Sequence, residues 1–315
     1  MSDYVIETDG LTKRFGEVLA VDCLSLRVPR GQVFGLLGPN GSGKSTTIGM
    51  LLGLVAPSSG TFRLMGTEMP GPHQKALHRI GAIVESPAFY PYLSGRANLA
   101  YFQGLSRRGS PEDVDQLLEK VGLAQRAHSK FSTYSMGMKQ RLGIAYALMG
   151  DPELIILDEP TNGLDPAGMA EVRDLIRGLG RDRHTVLLAS HLLHEVELVC
   201  DSVAILSRGR LLAQGSVQGI LHQQGAVRLK TTDNPRAEPI LASAKWITAV
   251  IPENGYLRAT VTPERSGDIT KVLADQGVYV TEMSPVQMSL ESYFLEVTGA
   301  DALLLPKEAS PSLSK

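Results

Sequence analysis

A glycine-rich stretch near the N-terminus has the residue types and the spacing that bind phosphate. The residues that match the pattern G-x-x-x-x-G-K-[ST] are Gly38-Pro39-Asn40-Gly41-Ser42-Gly43-Lys44-Ser45-Thr46. Glycines let backbone N–H groups turn inward and form a nest for phosphate oxygens. The lysine of this pattern reaches the β- and γ-phosphates, and the hydroxyl that follows it is a ligand for Mg²⁺. The stretch therefore predicts a site for a nucleotide and its magnesium ion.

Such a loop works only between a strand and a helix, and the sequence predicts both. The residues before the loop, 32–37, form an apolar run that predicts a buried strand. A helix is predicted from about Lys44 to Leu52, and the dipole at its N-terminus favours an anion. The pattern arises by chance in about one or two chains in a hundred of this length. The order strand, loop, helix favours a true phosphate loop.

Three further apolar runs end in residues that could act on the same phosphate. Residues 154–157 predict a buried strand that ends in Asp158 and Glu159, and parallel sheets bind their ligands at this carboxyl edge. Asp158 could hold Mg²⁺ beside Ser45, and Glu159 could take a proton from an attacking water. Residues 80–84 end in Glu85, whose carboxylate is a possible Mg²⁺ ligand or a solvated end of the strand.

The last of these runs, residues 185–190, ends in His191. A histidine alone carries little information. A different signal comes from Ser135 and Gly137, which begin a predicted helix and could bind an anion there, although serine N-caps are common.

Together these motifs resemble the ATP-binding subunits of ABC transporters over about residues 4–220, in the order that this family has. The resemblance implies that Phe15 stacks on adenine and that Val21 lines the same pocket. It identifies Ser135 and Gly137 with the family signature, whose serine and glycine contact the γ-phosphate from a second subunit. Asp165 falls in the loop that lies at the subunit interface.

The family also supplies roles for the strand ends. His191 matches the histidine that contacts the γ-phosphate and orients the attacking water. Glu85 departs from most members, which carry Gln at this position, and Met136 and Met138 depart from the usual signature. In these departures the chain resembles the bacitracin-resistance and lantibiotic-immunity group of exporters.

The resemblance implies a mixed α/β phosphate-loop ATPase domain over residues 1–222, with a helical insertion at about 86–150. Residues 226–298 predict the order β-α-β-β-α-β, which is typical of a small ferredoxin-like α+β domain. No catalytic pattern occurs there, so we expect a regulatory or dimer-supporting role. Residues 300–315 form a tail rich in Ser, Pro and Lys that predicts disorder.

Composition limits the partners and the location. The net charge of −2 over 315 residues gives no general attraction to nucleic acid, and none is expected as a partner. Two cysteines without metal-type spacing favour a reducing compartment. The sequence shows no signal peptide and no apolar run of the eighteen or so residues that a membrane helix needs. We therefore expect a cytoplasmic protein, peripheral to the inner face of the cell membrane.

The function predicted is that of an ATP-hydrolysing subunit that powers export of a drug, an antibiotic or a lipid-like substrate. Its predicted ligands are ATP and Mg²⁺, and its predicted partners are a second ATPase subunit, identical or not, and a separate polytopic permease. One alternative is a soluble ABC ATPase with a role outside transport, on ribosomes or DNA. Another is a module in which ATP only controls dimerisation, and a third is a different phosphate-loop enzyme such as a kinase.

Overall fold

The computed structural model describes residues 3–69, 76–85, 87–181, 184–222, 226–261, 265–286 and 289–304. The chain divides into two compact units between Gln214 and Gly215. The sequence places this boundary at 222–226, whereas residues 215–222 belong to the second unit in the structure.

The strands of the first unit alternate with turns and helices along the chain, and the last of them crosses the boundary. They are β1 (Tyr4–Phe15), β2 (Val18–Leu24), β3 (Arg27–Pro29), β4 (Val33–Leu37), β5 (Ser59–Leu64), β6 (Thr67–Met69), β7 (Ile80–Ile83), β8 (Leu154–Asp158), β9 (Thr185–Ser190), β10 (Ser202–Ser207) and β11 (Arg210–Ser216). The helices of the same unit are α1 (Lys44–Leu51), α2 (Gly95–Ser106), α3 (Asp113–Lys120), α4 (Met136–Ala147), α5 (Pro166–Arg181) and α6 (Leu193–Val199).

These strands form two sheets. An antiparallel sheet has the order β2-β1-β5-β6, with β3 paired to β1. The other sheet has the order β11-β10-β4-β9-β8-β7, and the five strands from β10 to β7 are parallel. Strands β4, β8 and β9 are buried along their whole lengths, which explains their continuous apolar sequences. Their carboxyl ends share one edge, and the predicted site residues follow these ends.

One hydrophobic core joins the two sheets to α1, and includes Ile6 from β1, Phe34 from β4 and Met50 from α1. The predicted helical insertion contains α2, α3 and α4. Ser94 caps α2 as predicted, since its hydroxyl accepts a hydrogen bond from the Ala97 N–H at 3.1 Å. The core therefore holds β4 and α1 in place on either side of the loop. The helical insertion follows β7 in the chain.

The second unit contains α7 (Val217–His222), β12 (Ala226–Thr231), α8 (Asn234–Ala242), β13 (Ala249–Glu253), β14 (Tyr256–Thr260), α9 (Ser266–Ala274), β15 (Val280–Val286) and α10 (Leu290–Leu304). Its antiparallel sheet has the order β13-β14-β12-β15, which is the predicted ferredoxin-like arrangement. Leu229 and Leu257 of the sheet pack with Leu241 and Leu273 of α8 and α9 in a separate core.

The predicted disordered tail is corrected at its start. Helix α10 continues to Leu304, so residues 300–304 are helical. The rest of the predicted tail, 305–315, lies outside the described residues. Across the described part of the chain, the helices are too short or too polar to cross a membrane.

Candidate active site

The glycine-rich loop lies between β4 and α1, as the sequence predicts. Helix α1 begins at Lys44, directly after the loop. Gly43 precedes it with φ of 103°, and a Cβ on this residue would lie 2.7 Å from the main-chain oxygen of Ala20. Glycine avoids both the backbone strain and this contact, so the chain can enter the helix through the tight turn that a phosphate nest requires.

The Lys44 ammonium is held at the base of the loop. Its Nζ donates hydrogen bonds to the main-chain oxygens of Gly38 at 2.7 Å and Pro39 at 3.3 Å. The same atom lies 3.5 Å from Oε1 of Glu159, and the lysine side chain is only 6% exposed. A charge fixed away from bulk water interacts strongly with a phosphate that enters the loop.

Asp158 is a buried carboxylate with spare coordinating capacity. Its Oδ1 has no hydrogen-bond partner among the described residues, while the Ser45 hydroxyl hydrogen-bonds to the side chain. Burial raises the pKa of the Asp158 carboxyl above its ordinary value, and the Glu159 and Glu85 carboxylates act in the same direction. The hydrogen bond from Ser45 and the charge of Lys44 oppose that rise. A cation beside Asp158 and Ser45 would pair with Oδ1 and offset the cost of burying a charged carboxylate.

Glu159 and His191 form a hydrogen-bonded pair at the strand edge. Nδ1 of His191 lies 2.8 Å from Oε2 of Glu159. Because a carboxylate only accepts hydrogen bonds, this contact places the histidine proton on Nδ1. The Glu159 N–H donates to the main-chain oxygen of Ala189 at 2.9 Å, which ties the turn after β8 to β9. The two predicted catalytic residues therefore meet in one network with Lys44.

Glu85 lies near this network but outside its hydrogen bonds. It follows β7, the neighbour of β8, and is exposed, with φ of 62°. Its charge contributes to the raised pKa of Asp158. No group of three or more His, Cys, Asp or Glu side chains suited to a metal occurs in the described ranges. A magnesium ion here would therefore depend on the Ser45 hydroxyl and on phosphate oxygens as well as carboxylate.

A cleft of about 530 Å³ opens above the loop. Its lining residues are Val18, Leu19, Ala20, Asn40, Gly41, Ser42, Gly43, Lys44, Ser45, Thr46, Glu159 and Arg208. The sequence misses four of these residues, namely Val18, Leu19, Ala20 and Arg208. An exposed β-branched residue at the start of a strand gives no distinctive signal, and neither does an arginine in a turn far along the chain.

The two residues predicted for the adenine pocket do not line this cleft. Val21, predicted to line that pocket, is fully buried in the core and does not line this cleft. Val18 is exposed and lies opposite Phe15 in the β1–β2 hairpin. Phe15 does not line the cleft either. It is 49% exposed, with Lys13 Nζ 4.8 Å from its ring centroid, and its contact with adenine stays a prediction.

The signature residues and Asp165 lie outside the cleft of their own chain. Ser135 caps α4 by accepting a hydrogen bond from Met138 N–H at 3.3 Å, and Asp165 caps α5 by accepting one from Gly168 N–H at 3.2 Å. The two helices begin side by side, since a Cβ on Gly137 would lie 3.7 Å from Gly168 Cα. Ser135 and Asp165 are both exposed on this surface.

Comparisons with known proteins agree with this arrangement. A family model described as ABC transporter matches residues 21–162. An uncharacterized ABC transporter ATP-binding protein of Bacillus subtilis strain 168, YdbJ, is 39% identical over 95% of this chain and 97% of its own. The bacitracin transport ATP-binding protein BcrA of Enterococcus faecalis is 37% identical over 96% of this chain and 98% of its own.

The structural comparison concerns the same fold. The solved structure of cbiO1 from Clostridium perfringens, part of the ABC transporter complex cbiONQ, superposes with a TM-score of 0.64 at 27% identity. It covers 70% of this chain and 91% of cbiO1. ATP-binding proteins of this kind work as dimers with a transmembrane permease. The chain belongs to the ABC transporter family as an ATP-binding, ATP-hydrolysing subunit.

Proposed function

We propose that this chain powers export of an antibiotic or a lipid-like substrate through a separate polytopic permease at the inner face of the cell membrane. The similarity to the bacitracin transport protein carries the proposal, because it extends over 96% of this chain and thus includes the second unit as well as the ATPase fold. Glu85 and the sequence Ser135-Met136-Gly137-Met138 support the same subgroup.

Hydrolysis would use the network at the strand edge. Lys44 and the loop N–H groups neutralise charge on the phosphates, which is the main source of catalysis in phosphoryl transfer. Glu159 accepts the proton of the attacking water, and a positioned base of this kind contributes about 10²–10⁴-fold to a rate. The 2.8 Å contact with His191 fixes the direction of the Glu159 carboxylate.

Asp158 and Ser45 fit a magnesium ion, since both are oxygen donors, one of them a buried carboxylate with an unpaired oxygen. When bound, the ion would neutralise charge on the β- and γ-phosphates. Glu85 is close enough to Asp158 to affect its pKa and could add a carboxylate on the same side.

A complete site would require a second subunit. Ser135, Gly137 and Asp165 occupy one surface of the chain but do not line its cleft. A head-to-tail homodimer would bring this surface of one copy against the phosphate loop of the other. The N-terminus of α4 would then direct N–H groups at the γ-phosphate.

An exposed group of tyrosines fits the permease. Tyr90, Tyr92 and Tyr101, which we name the aromatic patch, are exposed, and Tyr92 is 66% exposed. The Tyr90 ring contacts those of Tyr92 and Tyr101 at centroid distances of 5.7 and 5.2 Å. Phe89 anchors the segment, with its ring 5.5 Å from that of Phe102. Rigid, exposed aromatic side chains are typical of protein interfaces.

The test combines purification and activity. The affinity-tagged chain should purify with a polytopic membrane protein from solubilised membranes. In vesicles, the complex should hydrolyse ATP faster when bacitracin or another amphipathic antibiotic is added. Tyr92→Ala should lose the partner and keep ATP binding, whereas Tyr279→Ala, an equally exposed tyrosine of the second unit, should keep both. If no polytopic partner is recovered, the proposal is contradicted. If Tyr92→Ala recovers as much of the partner as wild type does, the aromatic patch is not the docking surface.

A further inference from the structure

The turn between β10 and β11 lies against the phosphate loop and is fixed there by hydrogen bonds. The Gly209 N–H donates to the main-chain oxygen of Ser42 at 3.0 Å, and the Gly209 oxygen accepts from the Asp22 N–H at 2.9 Å. Arg210 Nε donates to Oδ2 of Asp22 at 2.6 Å. The loop, β2 and this turn therefore form one unit around the cleft.

Arg208 is the residue of this turn that lines the cleft. Its backbone has φ of 47°, an uncommon conformation for a residue other than glycine, which the bonds at Gly209 hold in place. Its guanidinium makes no hydrogen bond or ion pair within the described part of the chain, and the side chain is exposed. Among the described residues that line the cleft, Arg208 and Lys44 are the cationic ones.

The two cations occupy different parts of the cleft. Lys44 lies beside Glu159, toward the end of the loop where the γ-phosphate reacts. Arg208 enters the cleft from the turn whose Gly209 lies against Ser42, and Cα of Gly209 lies 3.5 Å from the position of a Cβ on Gly43. The backbone of a phosphate loop cradles the α- and β-phosphates, so this part of the cleft faces the nucleoside end of the chain of phosphates.

We propose that Arg208 is a nucleotide-binding residue whose guanidinium pairs with the α-phosphate of ATP and ADP. A guanidinium presents paired N–H donors that match two phosphate oxygens, and charge-assisted bonds of this kind are stronger than neutral ones. Asp22 does not compete for Arg208, because Arg210 already pairs with it. The inference rests on the proposed ATPase function, since it requires a nucleotide in this cleft.

An α-phosphate contact has a distinctive consequence. ATP and ADP share this phosphate, so loss of the contact weakens both by the same factor. The contact exists in the substrate and in the transition state alike, so its loss raises KM and leaves kcat unchanged. An arginine that merely faces solvent would change none of these quantities.

The experiment measures Kd for ATP and ADP by titration calorimetry, and KM and kcat for hydrolysis, in the full-length chain. Arg208→Gln should raise both Kd values about fivefold, which is in the range of a partly solvated charge pair. Arg208→Lys should recover part of the loss. Arg107→Gln is the matched control, because Arg107 is also exposed, has φ of 53° and lies at the end of α2. It should bind as the wild type does.

Four results would count against the proposal. Both Kd values could stay within twofold of wild type in Arg208→Gln, or only ATP could be affected, which would place the guanidinium at the γ-phosphate. An equal loss in Arg107→Gln would show a general effect of charge. If the thermal midpoint of Arg208→Gln without nucleotide fell, Arg208→Lys would decide the matter. An Arg208→Lys protein with a normal midpoint and wild-type Kd values for both nucleotides would show that the loss in Arg208→Gln is structural. Wild-type protein that binds no nucleotide would overturn the proposed function itself, which separates that failure from the failure of the Arg208 contact.

Discussion

Replacement of Asp158 by asparagine should stabilise the protein while it impairs magnesium-dependent hydrolysis. The carboxylate is 3% exposed, Oδ1 has no partner among the described residues, and burial raises the pKa of the carboxyl. A buried charged group without a full set of partners costs about 1–3 kcal/mol or more. Ser45 and Lys44 offset part of this cost, so we expect Asp158→Asn to gain about 1–2 kcal/mol in free energy of unfolding at pH 7.

The pH dependence follows from the direction of the shift. A folded-state pKa above the ordinary 3.8 means that the ionised form is less favourable in the folded chain than in the unfolded one. Wild-type protein therefore loses stability from this group as pH rises through the raised pKa. The advantage of Asp158→Asn should be full at neutral pH and should shrink as pH falls through that value toward 3.8.

The assay is thermal unfolding in EDTA from neutral to mildly acidic pH. A gain of 1 kcal/mol raises Tm by about 2–4 °C in a unit of this size, so the expected increase is about 2–8 °C at pH 7. Addition of ATP with Mg²⁺ should stabilise wild type more than the variant, because only wild type keeps the full donor set. The control is Asp174→Asn, an exposed aspartate of α5 that should change Tm little. An Asp158→Asn protein no more stable than wild type in EDTA would refute the argument from burial.

Two further substitutions test the strand edge, and a third tests the packing of β7 against α4. Glu159→Gln keeps the size of the side chain but removes the base, so kcat should fall about 10²–10⁴-fold with the Kd for ATP nearly unchanged, and wild-type turnover would exclude Glu159 as the base. Glu85→Gln should keep hydrolysis with a different magnesium requirement, and superimposable Mg²⁺ titrations would leave Glu85 without a role. Gly81→Ala would place a Cβ 1.8 Å from the last carbonyl of α4 and should lower the free energy of unfolding by about 3 kcal/mol or more. Its control is Gly178→Ala in α5, where a Cβ meets nothing within 4 Å and should be tolerated. Equal unfolding midpoints for the two variants would contradict the packing of β7 against α4.

The sequence predicts the strand edge well because two simple rules apply there. Continuous apolar runs of four to six residues between turns form parallel strands, and whatever follows such strands gathers at one edge. Lys44, Glu159 and His191 are far apart in the sequence, yet the structure joins them at 3.5 and 2.8 Å as these rules require. In the second unit, the predicted order β-α-β-β-α-β begins with a strand, and β12 occupies Ala226–Thr231.

Residues whose position depends on turns or on the end of an element are harder to predict. Val18, Leu19 and Ala20 of β2 line the cleft in succession, and the register of β2 with β1 is irregular near Lys13, so no alternation in the sequence marks these residues. Arg208 reaches the cleft because the next residue, Gly209, bonds to Ser42. These two residues lie far apart in the sequence of the ATPase unit. At the C-terminus, the overall composition of 300–315 predicts disorder, but residues 300–304 are mostly Ala and Leu, which favour helix locally.

Two glutamates at the strand edge have backbone angles that local sequence preferences do not predict. Glu85 and Glu159 follow neighbouring parallel strands, and both have left-handed backbone angles, with φ of 62° and 49°. Glutamate has no preference for this conformation, which costs about 1–2 kcal/mol for a residue with a Cβ. Glycine would remove the strain and also the carboxylate. At Glu159 the strained residue directly follows β8, and its carboxylate lies 3.5 Å from Lys44 Nζ at the phosphate loop. The structure thus carries a cost in folding at both positions, and a sequence pattern that rewards local preference has no means to predict it.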